Sequence, residues 1–203
     1  MTKIFLIRHG ETEWNKTNRL QGNSDVNLSA EGIEQAKLLA EHAPFHAVDA
    51  IYSSDLSRAL TTANILAEKF HLPVIPERGL RETNFGDWEG RYISALVKEF
   101  PDDFGNFFIK PDKIKPPNGE TFLESQARIM NALDEIIAEH ENQSIVVVCH
   151  GAAIRLIICA ALEIRILKMW SISQFNTALN VLTFDEGFFR VELLNSTLHL
   201  YKF

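Results

Sequence analysis

Two short apolar runs in this chain end in the same way, with a histidine followed by a glycine. The first run, Ile4 to Ile7, leads into Arg8-His9-Gly10, and the second, Ser144 to Cys149, leads into His150-Gly151. Apolar runs of this length, bounded by turn residues, are typical of buried strands. Because ligands of open α/β sheets bind just beyond the carboxyl ends of strands, we expect the two strands to be neighbours. The two histidines would then meet at one edge of the sheet.

The pair Arg8-His9 suits a phosphoryl group. Arginine presents a charged fork to phosphate oxygens, and histidine acts as a nucleophile or a proton carrier. Gly10 indicates that strand pairing stops and that the backbone turns, so both side chains can face one pocket. Alone, Arg-His-Gly is equally consistent with two polar residues at the end of an edge strand. The second strand with the same ending favours a binding site.

Helical and strand patterns alternate along the chain, which is typical of an α/β fold. Ser29 is expected to cap a helix whose apolar face ends at Ala43, and Ser53-Ser54-Asp55 to cap the next helix. No internal repeat or interdomain linker divides the chain, so we expect one domain, 1–203. The remaining predictions are a polar loop over 13–27, strands near 48–52 and 73–76, helices near 91–100, 120–140 and 152–162, an irregular insertion over 101–118, and a hairpin of 181–184 with 189–194.

Several stretches resemble the histidine phosphatase superfamily, which has the phosphoglycerate-mutase-like fold. Arg8-His9-Gly10-Glu11-Thr12, with Trp14 and Asn15 following, is similar to the opening motif of that family, and His150-Gly151 to its second histidine. The stretches Ser53 to Ala59 and Leu80 to Gly90 are similar to two further elements of the family. The resemblance implies a three-layer α/β/α sandwich with a mostly parallel central sheet. We also expect the 101–118 insertion to lie near the site.

The resemblance also implies a role for each matched residue. His9 would attack phosphorus and become a phosphohistidine, while Arg8, Arg58 and His150 would surround the phosphoryl oxygens with positive charge. Glu82 would protonate the leaving group and then take a proton from the attacking water. The residues expected to bind the substrate are Asn15, Gln21, Gly22 and Gly151. The resemblance implies no cofactor and no metal ion.

Three functions are compatible with these residues. The main hypothesis is a metal-independent phosphomonoesterase that acts on small phosphorylated metabolites, in the branch resembling broad-specificity and α-ribazole-phosphate phosphatases. The first alternative is a cofactor-dependent phosphoglycerate mutase. Mutases carry an arginine after the glutamate and a tyrosine two residues on, whereas here Thr83, Asn84 and Phe85 follow Glu82. The second alternative, a binding protein without catalysis, is disfavoured because all five catalytic positions keep their chemistry.

Composition excludes several other classes of function. The formal net charge of −7 argues against nucleic acid or an anionic membrane as a partner. Cys149 and Cys159 lie in apolar stretches and fit buried thiols of a cytoplasmic protein.

The histidines form no helical pair typical of zinc proteases. Five of them are expected at the surface, namely His42, His46, His71, His140 and His199. We expect a monomer or a homodimer.

The insertion carries an unusual number of aromatic residues. Phe104, Phe107 and Phe108 lie within nine residues of Phe100. They either pack as a satellite core, which we favour, or line the pocket and contact an apolar part of the substrate.

Overall fold

The computed structural model describes residues 1–42, 44–45 and 47–201. A six-stranded sheet has the order β3-β2-β4-β1-β5-β6. The strands are β1 (Thr2–Arg8), β2 (Ala50–Ser53), β3 (Val74–Pro76), β4 (Ser144–Cys149), β5 (Leu179–Asp185) and β6 (Phe188–Ser196). The helices are α1 (Glu13–Lys16), α2 (Ala30–His42), α3 (Ser57–Phe70), α4 (Ile93–Glu99), α5 (Pro101–Ile109), α6 (Phe122–Glu139) and α7 (Gly151–Ala161). Short 3₁₀ turns span Arg78–Leu80, Gly86–Trp88, Pro111–Lys113, Ile166–Ser171 and Leu198–Leu200.

The two strands that end in His-Gly are direct neighbours, as predicted. β1 and β4 pair in parallel, with Arg8 opposite Cys149. The strands β1, β4, β2 and β3 are all parallel, whereas β5 and β6 add an antiparallel hairpin at the β1 side. The sheet is therefore mixed and mostly parallel, and the predicted hairpin is confirmed.

The sheet is covered on both faces, because successive side chains of a strand point to opposite sides. On β1, Ile4 and Leu6 join a core that contains residues of α6 and α7. Phe5 and Ile7 face the other way and join a core with residues of α2 and α3. The three-layer α/β/α arrangement is thus confirmed, and the buried middle layer holds the strand ends in place.

The start of α3 differs from the prediction. We expected Ser53-Ser54-Asp55 to cap this helix, but the helix begins at Ser57, and the carboxylate of Asp25 accepts hydrogen bonds from the Ser57 backbone N–H (2.8 Å) and hydroxyl (2.7 Å). The cap comes from a distant loop, which a local pattern cannot reveal. Ser29 does cap α2, since its Oγ accepts from the Gly32 N–H at 3.1 Å. Ala43, predicted at the end of that helix, lies outside the described residues.

Two segments predicted to be irregular contain helices. The 101–118 insertion forms α5 and a 3₁₀ turn, because Pro101 fits the first position of a helix and the aromatic residues pack inwards. Phe104 and Phe107 are fully buried in the main core with Trp88 and Phe122, while Phe108 is 45% exposed. The prediction of core packing is therefore confirmed for Phe104 and Phe107, although they belong to the main core and not to a satellite core. The predicted 13–27 loop includes the one-turn helix α1.

Not every histidine predicted at the surface lies there. His199 is buried, and its Nε2 lies 3.0 Å from the Thr177 hydroxyl, because the turn Leu198–Leu200 packs against α2. His140 is half-buried and contacts the Tyr52 hydroxyl at 2.9 Å. His42 and His71 are exposed as expected, and His46 lies outside the described residues. Both cysteines are buried and free, as predicted. No helix in the described ranges is long and apolar enough to cross a membrane.

Candidate active site

The two histidines meet where β1 and β4 end. Their ring centroids lie 5.2 Å apart, and both side chains are buried. The backbone N–H of His9 still donates to the Cys149 carbonyl at 3.0 Å, so strand pairing holds the first histidine in register with the second. The expected meeting of His9 and His150 at one sheet edge is therefore observed.

The hydrogen bond of His9 defines its tautomer. Nδ1 lies 2.7 Å from the Gly10 carbonyl oxygen, which can only accept, so Nδ1 carries the proton and Nε2 keeps its lone pair. Burial, followed by the nearby charges of Arg58 and Arg8, lowers the pKa of His9 well below its usual value. His9 is thus held neutral with one nitrogen available for nucleophilic attack.

Two buried guanidinium groups supply positive charge. Arg58 donates to the carbonyls of Ser24 (2.8 Å) and Gly22 (2.6 Å), and Arg8 donates to the Gln174 carbonyl (2.6 Å). Burial lowers the pKa of each arginine to about 10, so both stay cationic at neutral pH. Neither forms an ion pair with a carboxylate anywhere in the described part of the chain. Buried charges without an ion-pair partner are costly, so the two guanidinium groups favour the binding of an anionic ligand.

Three polar atoms of these residues are buried without a partner among the described residues. They are Nε of Arg8, Nε of Arg58 and Nδ1 of His150. The other nitrogen of His150, Nε2, lies 2.8 Å from the Ser54 hydroxyl. Burial and the charge of Arg58 lower the pKa of His150 well below its usual value. Unpartnered buried polar atoms are costly and rare, so their convergence at one sheet edge indicates a site built for a polar ligand.

The side-chain carboxylate of Glu82 lies at the start of α7. Its Oε1 accepts from the backbone N–H groups of Thr83 (2.9 Å) and Ala153 (3.0 Å), and its Oε2 from that of Ala152 (3.0 Å). The first N–H groups of a helix have no partner within the helix, so they hold a carboxylate there. Ala152 directly follows Gly151, which lies against the Arg8 guanidinium. The negative charge of the nearby Glu82 carboxylate raises the pKa of both Arg8 and Arg58.

The four predicted substrate-binding residues fall into two groups. Gly22 and Gly151 contact the arginines: the Gly22 carbonyl accepts from Arg58, and a Cβ at Gly151 would lie 3.4 Å from Nε of Arg8. Asn15 and Gln21 instead form a network within the loop, where their side-chain oxygens each lie 3.1 Å from the Thr12 hydroxyl oxygen.

Sequence reasoning missed Ser54 and Arg155 at this site. Arg155 donates to the carbonyls of Gly151 (2.9 Å) and Ile172 (2.7 Å), and its charge contributes to the lowered pKa of Arg8. The signal was present, because Arg155 is a charged residue four positions after Gly151 within an otherwise apolar helix. Residues at that spacing share one face of a helix.

Comparison with known proteins agrees with this geometry. Residues 4–197 match the histidine phosphatase superfamily (branch 1). The chain belongs to this superfamily. It is 36% identical over 203 residues to phosphoserine phosphatase 1 of Hydrogenobacter thermophilus, covering 100% of this chain and 96% of the relative. The predicted family is therefore confirmed.

Solved structures of superfamily members share the whole fold. YhfR of Bacillus stearothermophilus superimposes with a TM-score of 0.94 at 31% identity, covering 99% of this chain and 100% of that one. Phosphoserine phosphatase of Entamoeba histolytica, in complex with 3-phosphoglyceric acid, gives a TM-score of 0.89 at 34% identity, covering 99% and 100%. The chain is a phosphatase of this superfamily, whose members act through a phosphohistidine. The main functional hypothesis is confirmed at that level.

Proposed function

We propose that this chain hydrolyses small phosphomonoesters with His9 as the nucleophile. The observation that carries the proposal is the set of unpartnered nitrogens of Arg8, Arg58 and His150 around a neutral His9. Phosphoryl transfer depends mainly on positioning and on positive charge near the equatorial oxygens. A phosphoryl group would give each of these nitrogens the partner that it lacks.

In the first half-reaction, Nε2 of His9 attacks phosphorus in line with the ester oxygen. The N–P bond forms as the P–O bond breaks, and the leaving alkoxide takes a proton from Glu82. Nδ1 keeps its proton and continues to donate to the Gly10 carbonyl, and this hydrogen bond stabilises the positive charge that develops on the ring. The products are a phosphohistidine and an alcohol.

In the second half-reaction, the Glu82 carboxylate takes a proton from water, and the water oxygen attacks the phosphohistidine. The N–P bond breaks, inorganic phosphate leaves, and His9 returns to its neutral state. Glu82 thus serves as acid and then as base. The charges of Arg8 and Arg58, together with Nδ1 of the neutral His150, remain on the phosphoryl oxygens throughout, so this scheme requires no metal ion and no cofactor.

The relatives favour phosphoserine or 3-phosphoglycerate as the substrate class. One close relative is named phosphoserine phosphatase 1, and the Entamoeba histolytica enzyme was solved with 3-phosphoglyceric acid. Both molecules are small phosphorylated acids, in agreement with our hypothesis of a small phosphorylated metabolite. A cytoplasmic location, which the two free thiols favour, and a monomeric or homodimeric state complete the proposal.

The three residues after Glu82 favour hydrolysis over mutase activity. The Thr83 hydroxyl is buried against that of Ser125 at 2.9 Å, and Phe85 is buried in the core. Neither position can provide the extra basic group that would retain a bisphosphate intermediate. A protein without catalysis is disfavoured as well, because His9 keeps a free nitrogen among intact partners.

Phosphate release from phosphoserine, 3-phosphoglycerate and p-nitrophenyl phosphate in excess EDTA tests the proposal. We expect the wild type to hydrolyse p-nitrophenyl phosphate and at least one of the two acids, and His9→Ala to hydrolyse none. His42→Ala is the matched control, since His42 is exposed. Isomerisation of 3-phosphoglycerate in the presence of 2,3-bisphosphoglycerate, at a rate well above that of hydrolysis, would contradict the proposed phosphatase function.

A further inference from the structure

We propose that Arg128, together with Glu120, is a positioning residue for Glu82. This inference rests on the proposed function, in which Glu82 protonates the leaving group. The segment 79–84, which we call the Glu82 segment, contains the end of a 3₁₀ turn but no strand or α-helix. Its backbone therefore needs partners outside regular secondary structure to keep one conformation.

Arg128 provides partners for three carbonyl groups of this backbone. From its place on α6, its guanidinium donates to three backbone carbonyls of the Glu82 segment: those of Gly79 (2.7 Å), Arg81 (3.0 Å) and Glu82 (3.2 Å). A planar guanidinium offers five donors in a rigid arrangement, so one side chain can hold three carbonyls at once. Lysine, a point charge on a flexible stem, cannot reproduce this geometry.

Two more side chains hold the other side of Glu82. The Glu120 carboxylate accepts from the Asn84 N–H at 2.8 Å and pairs with Arg128 at 2.5 Å. The hydroxyl of Ser125, on α6, lies 2.9 Å from that of Thr83. Glu120 just before α6, with Ser125 and Arg128 on α6, forms what we call the α6 clamp. The clamp thus contacts the backbone or side chains of residues before and after Glu82.

The side chain of Glu82 is held by a different helix. Its carboxylate accepts from backbone N–H groups at the start of α7, and α6 and α7 pack against each other. The α6 clamp therefore aligns the backbone of Glu82 with the helix that orients its carboxylate. Since a misplacement of about 1 Å can cost about 10²-fold in rate, loosening the clamp should impair proton transfer by Glu82 specifically.

The test compares substrates that differ in their need for an acid. We would measure kcat/KM, which reports steps up to phosphohistidine formation, for glycerol phosphate and for p-nitrophenyl phosphate, whose leaving group needs little protonation. We expect Arg128→Lys to lower kcat/KM for glycerol phosphate by about 10- to 100-fold and that for p-nitrophenyl phosphate by less than about threefold. Glu120→Gln, which keeps an acceptor for Asn84, should show the same selectivity with a smaller loss.

A double variant separates positioning from a general structural effect. If Arg128 acts only through Glu82, then adding Arg128→Lys to Glu82→Gln should change kcat/KM for glycerol phosphate by less than about twofold. Arg91→Lys is the matched control, because Arg91 pairs with Glu99 and stacks on Phe100, away from the clamp. We expect both of its kcat/KM values to stay within twofold of wild type.

The outcomes distinguish this inference from the proposed function. Equal losses on the two substrates for Glu82→Gln itself would contradict Glu82 as the acid. Two outcomes would overturn only the positioning role, provided that Glu82→Gln lowers kcat/KM selectively for glycerol phosphate. In the first, Arg128→Lys lowers kcat/KM equally for both substrates. In the second, the losses of Arg128→Lys and Glu82→Gln add in the double variant. Urea unfolding of each variant shows whether it is folded, and if Arg128→Lys does not fold, the same comparison with Glu120→Gln decides.

Discussion

The two strand ends that carry His-Gly lie side by side, but the structure surrounds them differently. His9 places Nδ1 on the Gly10 carbonyl and keeps Nε2 free, whereas His150 places Nε2 on the Ser54 hydroxyl and leaves Nδ1 without a partner in the described ranges. Opposite ring nitrogens are therefore available in the two residues. The same dipeptide can provide a nucleophile at one strand and a partner for phosphoryl oxygens at the next.

The glycines differ as much as the histidines. A Cβ at Gly10 would lie 2.4 Å from the Gly32 carbonyl oxygen, so this glycine allows two backbone segments to approach closely. A Cβ at Gly151 would meet only side chains, those of Arg155 at 3.2 Å and Arg8 at 3.4 Å. Gly10 is therefore a packing requirement, while Gly151 leaves room at the start of α7 for the arginines of the site. The roles come from the neighbours and not from the dipeptide.

Removing the nucleophile should have the largest effect. We expect His9→Ala to lower kcat for p-nitrophenyl phosphate by about 10⁴-fold or more, because no other neutral nitrogen with a free lone pair is proposed to attack. After rapid quenching at alkaline pH, wild type should carry a phosphohistidine, and the variant should carry none. A phosphohistidine still present in His9→Ala would reverse the roles assigned to the two histidines.

Loss of the second histidine should be severe but not complete. His150→Ala removes one partner of the phosphoryl oxygens, and removal of a single such group costs about 10²- to 10³-fold in kcat. His9 should still become phosphorylated, only more slowly, which rapid-quench labelling can follow. If the labelling of His9 stops altogether, His150 contributes more than a hydrogen bond to the phosphoryl group.

Alanine at the two glycines should separate folding from activity. Gly10→Ala should lower the free energy of unfolding by about 1–3 kcal/mol or more, since backbone must move to admit the Cβ. Gly151→Ala should change it by less than about 1 kcal/mol, because alanine favours a helix, but it should raise KM for p-nitrophenyl phosphate by displacing Arg8. Urea unfolding and steady-state kinetics measure both. Equal destabilisation of the two variants would remove the distinction between these glycines.

The smallest expected effect concerns pH. A histidine nucleophile with the ordinary pKa near 6.5 would lose about threefold of its neutral form between pH 7 and pH 6. Burial holds the pKa of His9 below that value, so the neutral form persists as the pH falls. We expect kcat/KM for p-nitrophenyl phosphate, whose leaving group needs little protonation by Glu82, to change less than twofold over this range after correction for ionisation of the substrate. A threefold fall would show that His9 titrates as an exposed histidine.

The local pattern of the sequence predicted the two strand ends that carry Arg8, His9 and His150, whereas the three-layer architecture and the candidates Arg58 and Glu82 came from the resemblance to the superfamily. Arg8-His9-Gly10 and His150-Gly151 follow apolar runs that are typical of buried strands, and parallel strands bring their carboxyl ends together. The structure gathers His9, His150, Arg8, Arg58 and Glu82 at that edge, as the resemblance to the superfamily implied. Their individual roles stay predictions until the variants are measured.

Contacts between distant parts of the chain were decided only by the tertiary structure. Asp25 caps α3 across 32 positions, Arg128 reaches the Glu82 carbonyl across 46, and His199 is buried against Thr177. No periodicity or motif encodes such pairs, because each depends on how helices and loops pack once the sheet has formed. The sequence by itself determined which residues could perform the chemistry. The fold decided which nitrogen of each histidine is free and which residues hold Glu82 in place, since hydrogen-bond partners are selected by packing.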